Sequence, residues 1–180
     1  MGDDEPLGTA AAITPASVGD VDEVTDLWIA LAEGQRRHGS TLLAEPNRAA
    51  VREWVSRSVV TGELLVARDG DSDESPIGFV GFSLDREGYE RERTRGTVSN
   101  LFVVPDRRGE GIGAELLEAA ERALAEAGAE TVALEALADN DRAREFYAGR
   151  GYDCHRVELT KSLSGAGDSR DGRADDAGTE

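Results

Sequence analysis

Residues 103–113, which read VVPDRRGEGIG, decide the fold and carry most of the functional information. An apolar, strand-like run over residues 97–104 stops at Pro105, and after a glycine-rich turn apolar residues recur at helical spacing from Ile112 onward. Glycines allow positive φ angles and the close approach of a ligand, and a helix start offers unpaired N–H groups at the positive end of its dipole. With Arg108 beside the glycines, the sequence predicts a phosphate-binding turn between a strand and a helix.

Two other phosphate-binding motifs do not fit this turn. It lacks the Gly-Lys-Ser/Thr of a P-loop, and Gly109, Gly111 and Gly113 do not reproduce the Gly-x-Gly-x-x-Gly spacing of dinucleotide-binding proteins. A tight turn that is rich in glycine for packing alone remains as an alternative. The arginine and the helix start together favour phosphate binding over that alternative.

The rest of the chain alternates between helical and extended patterns, with no internal repeat. The elements predicted upstream of the turn are a strand at 11–14, a helix from Asp20 to about Gly34, a helix from Asn47 to Gly62, and strands at 63–68 and 77–84. Those predicted downstream are a helix at 112–127, a strand at 131–137, a helix at 139–150 and an extended segment at 152–163. Asp20 and Glu23 form a capping-box pattern. The strands at 63–68 and 77–84 should pair antiparallel, and the two strands that flank the helix at 112–127 should be parallel.

The charge balance is strongly acidic. The 180 residues include 37 acidic and 20 basic side chains, a net charge of −17, and Lys161 is the sole lysine. Such a charge repels nucleic acid and anionic membranes, so neither is expected as a partner. We interpret the composition as an adaptation to a salty cytoplasm, in which salt screens the repulsion; an ordinary acidic protein is the alternative.

Several classes of site and location are disfavoured. Cys154 is the single cysteine, which rules out an intrachain disulfide and a thiolate metal cluster. His38 and His155 are too isolated for a metal triad, so no metal is expected. The N-terminus lacks the pattern of a signal peptide, and no apolar run reaches membrane-spanning length. The expected location is cytoplasmic.

Two motifs give the chain a family resemblance. Arg108 to Gly113, RGEGIG, matches the Arg/Gln-x-x-Gly-x-Gly/Ala signature of the GCN5-related N-acetyltransferase (GNAT) family, and the preceding residues 100–103, NLFV, resemble that family's fourth strand. Residues 140–152, NDRAREFYAGRGY, resemble its Asn-x-x-Ala-x-x-Phe-Tyr-x-x-x-Gly-Phe element. The resemblance implies an α/β (α+β) fold over residues 10–163, with a mixed, mostly antiparallel central sheet flanked by about four helices. Residues 1–9 and 164–180 are expected to be disordered tails.

The resemblance also implies roles for individual residues. Backbone N–H groups should hold the pyrophosphate of CoA; they belong to Arg108, Gly109, Glu110, Gly111, Ile112, Gly113 and Ala114. Main-chain groups of Leu101, Phe102 and Val103 should pair with the pantetheine arm and polarise the thioester carbonyl. Asn140 either reaches the pantetheine arm or caps the following helix. Tyr147 either protonates the departing CoA thiolate or is an ordinary core aromatic residue.

The general base stays open at this level. The strand before the turn offers Ser99 and Asn100 in place of the carboxylate found in some relatives. Glu135, Glu33 or a chain of water molecules are the other candidates, and each carboxylate also suits a surface or packing position.

These expectations combine into one functional hypothesis. The chain should transfer an acetyl group from acetyl-CoA to a primary amine, which attacks the thioester directly in a ternary complex. Acidic residues give a weak preference for a cationic acceptor. The alternative is a CoA-binding sensor or regulatory module without turnover. The last extended segment, from Tyr152, offers an edge through which a homodimer is possible.

Overall fold

The structure, a computed structural model, describes residues 11–70, 75–85 and 92–163. Residues 1–10 and 164–180 are not described, so the two predicted tails lie outside the described residues. The same holds for residues 71–74 and 86–91, which belong to two predicted loops. The chain divides into two compact units, Met1–Arg144 and Glu145–Glu180.

The helices and strands follow the predicted order. They are β1 (Ala12–Pro15), α1 (Val21–Gln35), α2 (Arg48–Thr61), β2 (Leu64–Arg68), β3 (Gly78–Leu84), β4 (Arg95–Val103), α3 (Ile112–Glu126), β5 (Thr131–Leu134) and α4 (Asp141–Ala148). Single 3₁₀ turns occupy Val18–Asp20, Arg36–His38, Glu45–Asn47 and Pro105–Arg107.

The strands form one sheet in the spatial order β1-β2-β3-β4-β5. The first four are antiparallel to their neighbours, whereas β4 and β5 are parallel and joined through α3. A mixed, mostly antiparallel sheet with helices α1 to α4 is the predicted fold, which is thereby confirmed. Among the described residues, no helix has the length and apolar character needed to span a membrane.

Helix α1 begins where predicted, but the predicted capping box is wrong. Asp20 precedes the helix without a side-chain cap hydrogen bond. Its carboxylate instead accepts hydrogen bonds from the Ser17 amide (2.6 Å) and hydroxyl (2.9 Å) and from Arg68 (2.5 Å). Glu23 accepts a hydrogen bond from the Ser75 hydroxyl (3.0 Å). The Asp20 carboxylate, which the sequence pattern predicted as a helix cap, therefore binds the buried Arg68 of β2 instead.

Helices pack on both faces of the sheet, and glycines in the strands allow this close approach. A Cβ atom at Gly81 would lie 2.7 Å from the indole ring of Trp54, which belongs to α2. On the opposite face, a Cβ at Gly96 would lie 2.7 Å from the side chain of Leu124 in α3. The helices α1 and α2 bury Val24, Trp28, Val51 and Val55 against one face, with Leu64, Val66, Phe79 and Phe102 of the sheet.

Strand β4 separates from β5 halfway along its length. The parallel ladder joins Arg95 to Thr131 and ends where Val98 faces Leu134, so residues 99–103 lie beyond it. A β-bulge between Gly81 and Phe82 of β3 falls opposite the same point of β4. One edge of β4 from Ser99 onward is therefore left without β5, although β3 stays paired on the other side as far as Val103.

The second unit differs from prediction at its end. Within its described part, residues 152–163 form neither helix nor strand, so the predicted final strand, and with it the edge proposed for a homodimer, is not found. A strand needs a neighbouring strand to pair its backbone groups, and the residue pattern of a single segment does not supply one. Val157, Leu159 and Leu163 are exposed. Cys154 is also exposed.

Candidate active site

The glycine turn has the backbone geometry that a phosphate site requires. Gly109 and Gly111 both adopt φ of 90°, a left-handed conformation that side chains disfavour. A Cβ atom at either position would meet nothing within 4 Å, so packing does not explain these glycines. Gly111 is the N-cap of α3, which places the turn at the positive end of that helix. Close packing therefore does not explain why the turn is rich in glycine.

The backbone amides of residues 109–113 have no acceptor among the described residues. The amides at either end of the predicted set are occupied: Arg108 donates to the Pro105 carbonyl (3.3 Å) and Ala114 to that of Gly111 (2.9 Å). Five consecutive N–H groups at a helix start suit a diphosphate, because backbone amides and the helix dipole both favour negative charge. Of the seven amides predicted to hold a pyrophosphate, the inner five therefore lack a hydrogen-bond acceptor among the described residues.

Arg107 holds the turn in place, a role that sequence reasoning missed. Its guanidinium donates to the carboxylate of Glu110 (2.8 Å) and forms an ion pair with Asp69, which directly follows β2. These hydrogen bonds, to Glu110 first and to Asp69 second, raise the pKa of Arg107. Since the Glu110 carboxylate is bound to Arg107, the backbone of Glu110 is the part available for the predicted site.

Arg108 lies across the end of β4. Its Nε donates to the Val103 carbonyl oxygen (2.9 Å), and its guanidinium lies 5.3 Å from the centre of the Phe102 ring. Phe102 and Val103 are buried, and Leu101 is partly buried. Residues 101–103 belong to the part of β4 that β5 leaves open, so the predicted pantetheine residues occupy a suitable free edge. One carbonyl on that edge is already used by Arg108.

Asn140 acts as a helix cap. Its Oδ1 accepts a hydrogen bond from the Ala143 amide (3.1 Å), which is the second of the two predicted roles. The preceding residue, Asp139, approaches the end of α1: its carbonyl oxygen lies 3.2 Å from Nδ1 of His38. The turn after α1 and the loop before α4 are therefore in contact.

Tyr147 lies in the second unit, where it contacts two aromatic rings edge to face. The centre of the Tyr147 ring lies 5.1 Å from that of Phe146 and 5.7 Å from that of Tyr152. Burial raises the pKa of the Tyr147 phenol above its ordinary value. The phenol is therefore fully protonated near neutral pH, which is the state that a proton donor needs.

The candidate bases are not equivalent in the structure. The Ser99 hydroxyl donates to the Gly81 carbonyl oxygen (3.1 Å), next to the indole of Trp54. Glu33 and Glu135 are exposed. Among the described residues, no group of three or more His, Cys, Asp or Glu side chains is arranged to hold a metal ion.

Comparison with solved structures places the fold. The structure is similar to an aminoglycoside N-acetyltransferase in complex with CoA, with a TM-score of 0.69, 16% sequence identity, and coverage of 88% of this chain and 99% of that chain. At this identity the likeness concerns the fold. The chain therefore shares the fold of that N-acetyltransferase.

Sequence comparison identifies the family. The sequence model described as the acetyltransferase (GNAT) family matches residues 41–152. An uncharacterized N-acetyltransferase of Archaeoglobus fulgidus is 35% identical over 106 residues, which are 59% of this chain and 68% of that protein. N-alpha-acetyltransferase 30 of Schizosaccharomyces pombe is 32% identical over 106 residues, which are 58% of this chain and 63% of that protein. The chain belongs to the acetyltransferase (GNAT) family.

Proposed function

We propose that this protein transfers an acetyl group from acetyl-CoA to a primary amine in a ternary complex. The observation that carries the proposal is the row of five backbone amides at residues 109–113, without an acceptor in the described residues, at the N-terminus of α3. CoA has a diphosphate next to a pantetheine arm that carries amide groups. The diphosphate site at the start of α3 adjoins the open edge of β4, so the two parts follow each other as the diphosphate and pantetheine do in CoA.

The open edge of β4 supplies the second part of the proposed site. From Ser99 onward this edge is not paired with β5, so main-chain groups of residues 101–103 are suited to pair with the amides of pantetheine. A backbone N–H on the same edge is suited to polarise the thioester carbonyl. Arg108 has to leave the Val103 carbonyl before pantetheine uses it.

In the proposed reaction, the neutral amine attacks the thioester carbonyl carbon. A C–N bond forms, the C–S bond breaks, and the leaving thiolate takes a proton from the phenol of Tyr147. The amine loses one proton to water or to a carboxylate. Tyr147 regains its proton from solvent, so the products are the amide and the free thiol of CoA.

The names of the relatives support an amine acceptor without identifying it. The Schizosaccharomyces pombe relative is named an N-alpha-acetyltransferase, and the structural neighbour is named an aminoglycoside N-acetyltransferase. The acceptor here is accordingly proposed as an amine on either a small molecule or a protein.

The test is release of the CoA thiol from acetyl-CoA in the presence of a panel of amines: polyamines, aminoglycosides, peptides with free N-termini, and lysine peptides. Amine-dependent thiol release with a matching mass increase of one acetyl group supports the proposal. Tight CoA binding without turnover on every amine, in a correctly folded preparation, would contradict it and favour a regulatory CoA-binding module. Propionyl-CoA and longer thioesters in the same assay measure the acyl preference.

A further inference from the structure

Ser99 is the extra residue of a β-bulge in β4. In the register of β3 with β4, Gly81 faces Asn100 and Phe82 faces Val98, so Ser99 lies between two paired positions without a partner of its own. The ladder with β5 ends at Val98, so Ser99 has no register partner on that side either. Bulges redirect side chains and are common beside active sites. Ser99 is exposed, although β4 lies between β3 and β5 in the sheet.

Trp54 lies on the same face of the sheet as the Ser99 hydroxyl. A single Cβ atom at Gly81 would be 2.7 Å from the six-membered ring of Trp54 and 3.1 Å from Ser99 Oγ. Trp54 belongs to α2 and is only partly buried. The opposite face carries α3, where a Cβ at Gly96 would contact Leu124. The hydroxyl and the indole ring therefore adjoin each other on the face opposite α3.

The Ser99 hydroxyl has hydrogen-bonding capacity left for a ligand. A serine hydroxyl carries one proton and two lone pairs. The proton is donated to the Gly81 carbonyl oxygen, at 3.1 Å. No other described residue hydrogen-bonds to this hydroxyl. Its remaining lone pair positions therefore suit a ligand that donates an N–H group.

The proposed path of CoA brings the thioester toward Ser99. The diphosphate site at residues 109–113 follows the end of β4, so pantetheine runs back along the open edge from residue 103 to residue 101. A thioester carbonyl that accepts a hydrogen bond from this edge lies near the plane of the sheet. A nucleophile adds to a carbonyl from above or below its plane. Because α3 covers one face, the amine approaches from the face of Ser99 and Trp54.

We infer that Ser99 and Trp54 form the acceptor subsite, which receives a primary amine carried on a methylene chain. The inference rests on the proposed function, because it names the acceptor of the same site. Ser99 Oγ accepts a hydrogen bond from one N–H of the neutral amine, so that the nitrogen lone pair can face the thioester. The Trp54 ring packs against the methylene groups next to the nitrogen. The net charge of −17 also attracts such amines in their cationic form.

The kinetic experiment measures thiol release from acetyl-CoA with butylamine, spermidine and an N-terminally blocked lysine peptide. The KM for each amine, the KM for acetyl-CoA and kcat are determined for the wild-type protein, Ser99→Ala and Ser99→Thr. The matched control is Ser56→Ala in α2, because the Ser56 hydroxyl also donates to a backbone carbonyl, that of Arg52 (2.8 Å).

Ser99→Ala should raise the KM for the amines about five- to tenfold, because one hydrogen bond contributes on that order. The KM for acetyl-CoA and kcat should change little. Ser99→Thr keeps the hydroxyl on a residue type that suits a strand, so it should retain the KM values of the wild-type protein. Ser56→Ala should retain them as well. A role of Ser99 in the bulge alone would not raise the KM for the amine selectively.

Tryptophan fluorescence tests the part assigned to Trp54. Trp28 and Trp54 are the two tryptophans of the chain. Butylamine added to the protein saturated with CoA should change the emission of the wild-type protein. It should not change that of Trp54→Phe, which keeps Trp28 and an aromatic ring at position 54. No change in the wild-type protein, or an equal change in Trp54→Phe, would overturn the contact between Trp54 and the amine.

Three kinetic results overturn the inference while the proposed function stands. One is an unchanged KM for every amine in Ser99→Ala. Another is a large loss of kcat in Ser99→Ala at constant KM, which would assign Ser99 to proton transfer. The third is thiol release with an aminoglycoside but with none of the methylene amines. Absence of thiol release by the folded wild-type protein with every amine would contradict the proposed function itself.

Discussion

Asp20 and Arg68 form an ion pair in the interior, where each residue is about 5–6% exposed. Burial raises the pKa of the Asp20 carboxyl, but hydrogen bonds from Ser17 and from Arg68 outweigh it, so the net pKa is lowered. A lowered folded pKa means that the charged form contributes stability above the ordinary carboxyl pKa. That contribution is lost as the pH falls through the lowered value.

Replacing Asp20 by Asn should therefore be costly at neutral pH. The change removes the Asp20 carboxylate from its ion pair with buried Arg68, and breaking one side of a buried pair typically costs about 3–5 kcal/mol. Urea denaturation at pH 7 measures the loss, and Asp22→Asn, which removes the carboxylate of an exposed pair with Arg52, is the control and should change little. Repeating the series toward pH 3 should bring the wild-type protein and Asp20→Asn together. A constant difference across that range would contradict the assigned pKa direction.

Tyr147 is the residue proposed to protonate the leaving CoA thiolate. Tyr147→Phe should lower kcat by about 100-fold or more with little change in the KM for acetyl-CoA, because a positioned proton donor contributes on that order. Since the pKa of the phenol is raised, the kcat of the wild-type protein should decrease only at a pH above the ordinary tyrosine pKa. The kcat of Tyr147→Phe should not show this decrease. Tyr152→Phe changes a neighbouring ring in the same way and serves as the control. An unchanged kcat in Tyr147→Phe would assign the residue to packing.

At the scale of elements, local patterns predicted most of the sheet and helices. The observed bounds lie within a residue or two of the predicted ones for β2, β3 and α1 to α3. These bounds depend on apolar periodicity and on glycines, which can be read from a short stretch of sequence. Strand β4 starts two residues earlier than predicted, at Arg95, whose charge is held by Asp85 (2.7 Å). Strand β5 ends at Leu134 rather than at residue 137, where its ladder with β4 stops. Both deviations depend on tertiary partners.

The sequence likewise predicted those parts of the candidate site that lie within one short stretch of the chain. Positive-φ glycines at 109 and 111 and a following helix are visible in eleven consecutive residues, so the phosphate turn was found. Arg107 was missed because its partner Asp69 is 38 residues away in sequence. A local sequence pattern identifies the residues of one loop. The fold is needed to show which residues distant in sequence contact them.

Gly81 provides a prediction about packing between α2 and the sheet. Gly81→Ala would place a Cβ 2.7 Å from the Trp54 ring and 3.1 Å from the Ser99 hydroxyl, so it should destabilise the protein by about 1–3 kcal/mol. Gly34→Ala is the control: its Cβ would make only an ordinary contact, 3.8 Å from Nη2 of Arg37, in α1, where alanine is favoured over glycine by up to about 1 kcal/mol. Denaturant melts of the two variants should move in opposite directions. Equal stability of Gly81→Ala and the wild-type protein would contradict the close packing of Trp54.

At the scale of the whole molecule, the net charge of −17 makes stability depend on salt. Repulsion among surface carboxylates opposes the compact state, and salt screens it, so the free energy of unfolding should rise from dilute buffer to molar KCl at pH 7. The same titration close to the pI of about 4.5 is the control, because the net charge is then near zero. A stability that is independent of KCl at pH 7 would favour the ordinary acidic protein over adaptation to a salty interior.

The amides of residues 109–113 are proposed to bind the diphosphate of acetyl-CoA. Calorimetric titration with acetyl-CoA tests this for the wild-type protein, Gly111→Ala and Gly128→Ala, in dilute buffer and in molar KCl. Both glycines have a φ of 90° or more, and a Cβ at either meets nothing within 4 Å, so the two variants carry similar backbone strain at opposite ends of α3. We predict binding by the wild-type protein and Gly128→Ala, weakened about tenfold or more in Gly111→Ala. Equal affinity in all three, or no binding by the folded wild-type protein in either salt, would contradict the account.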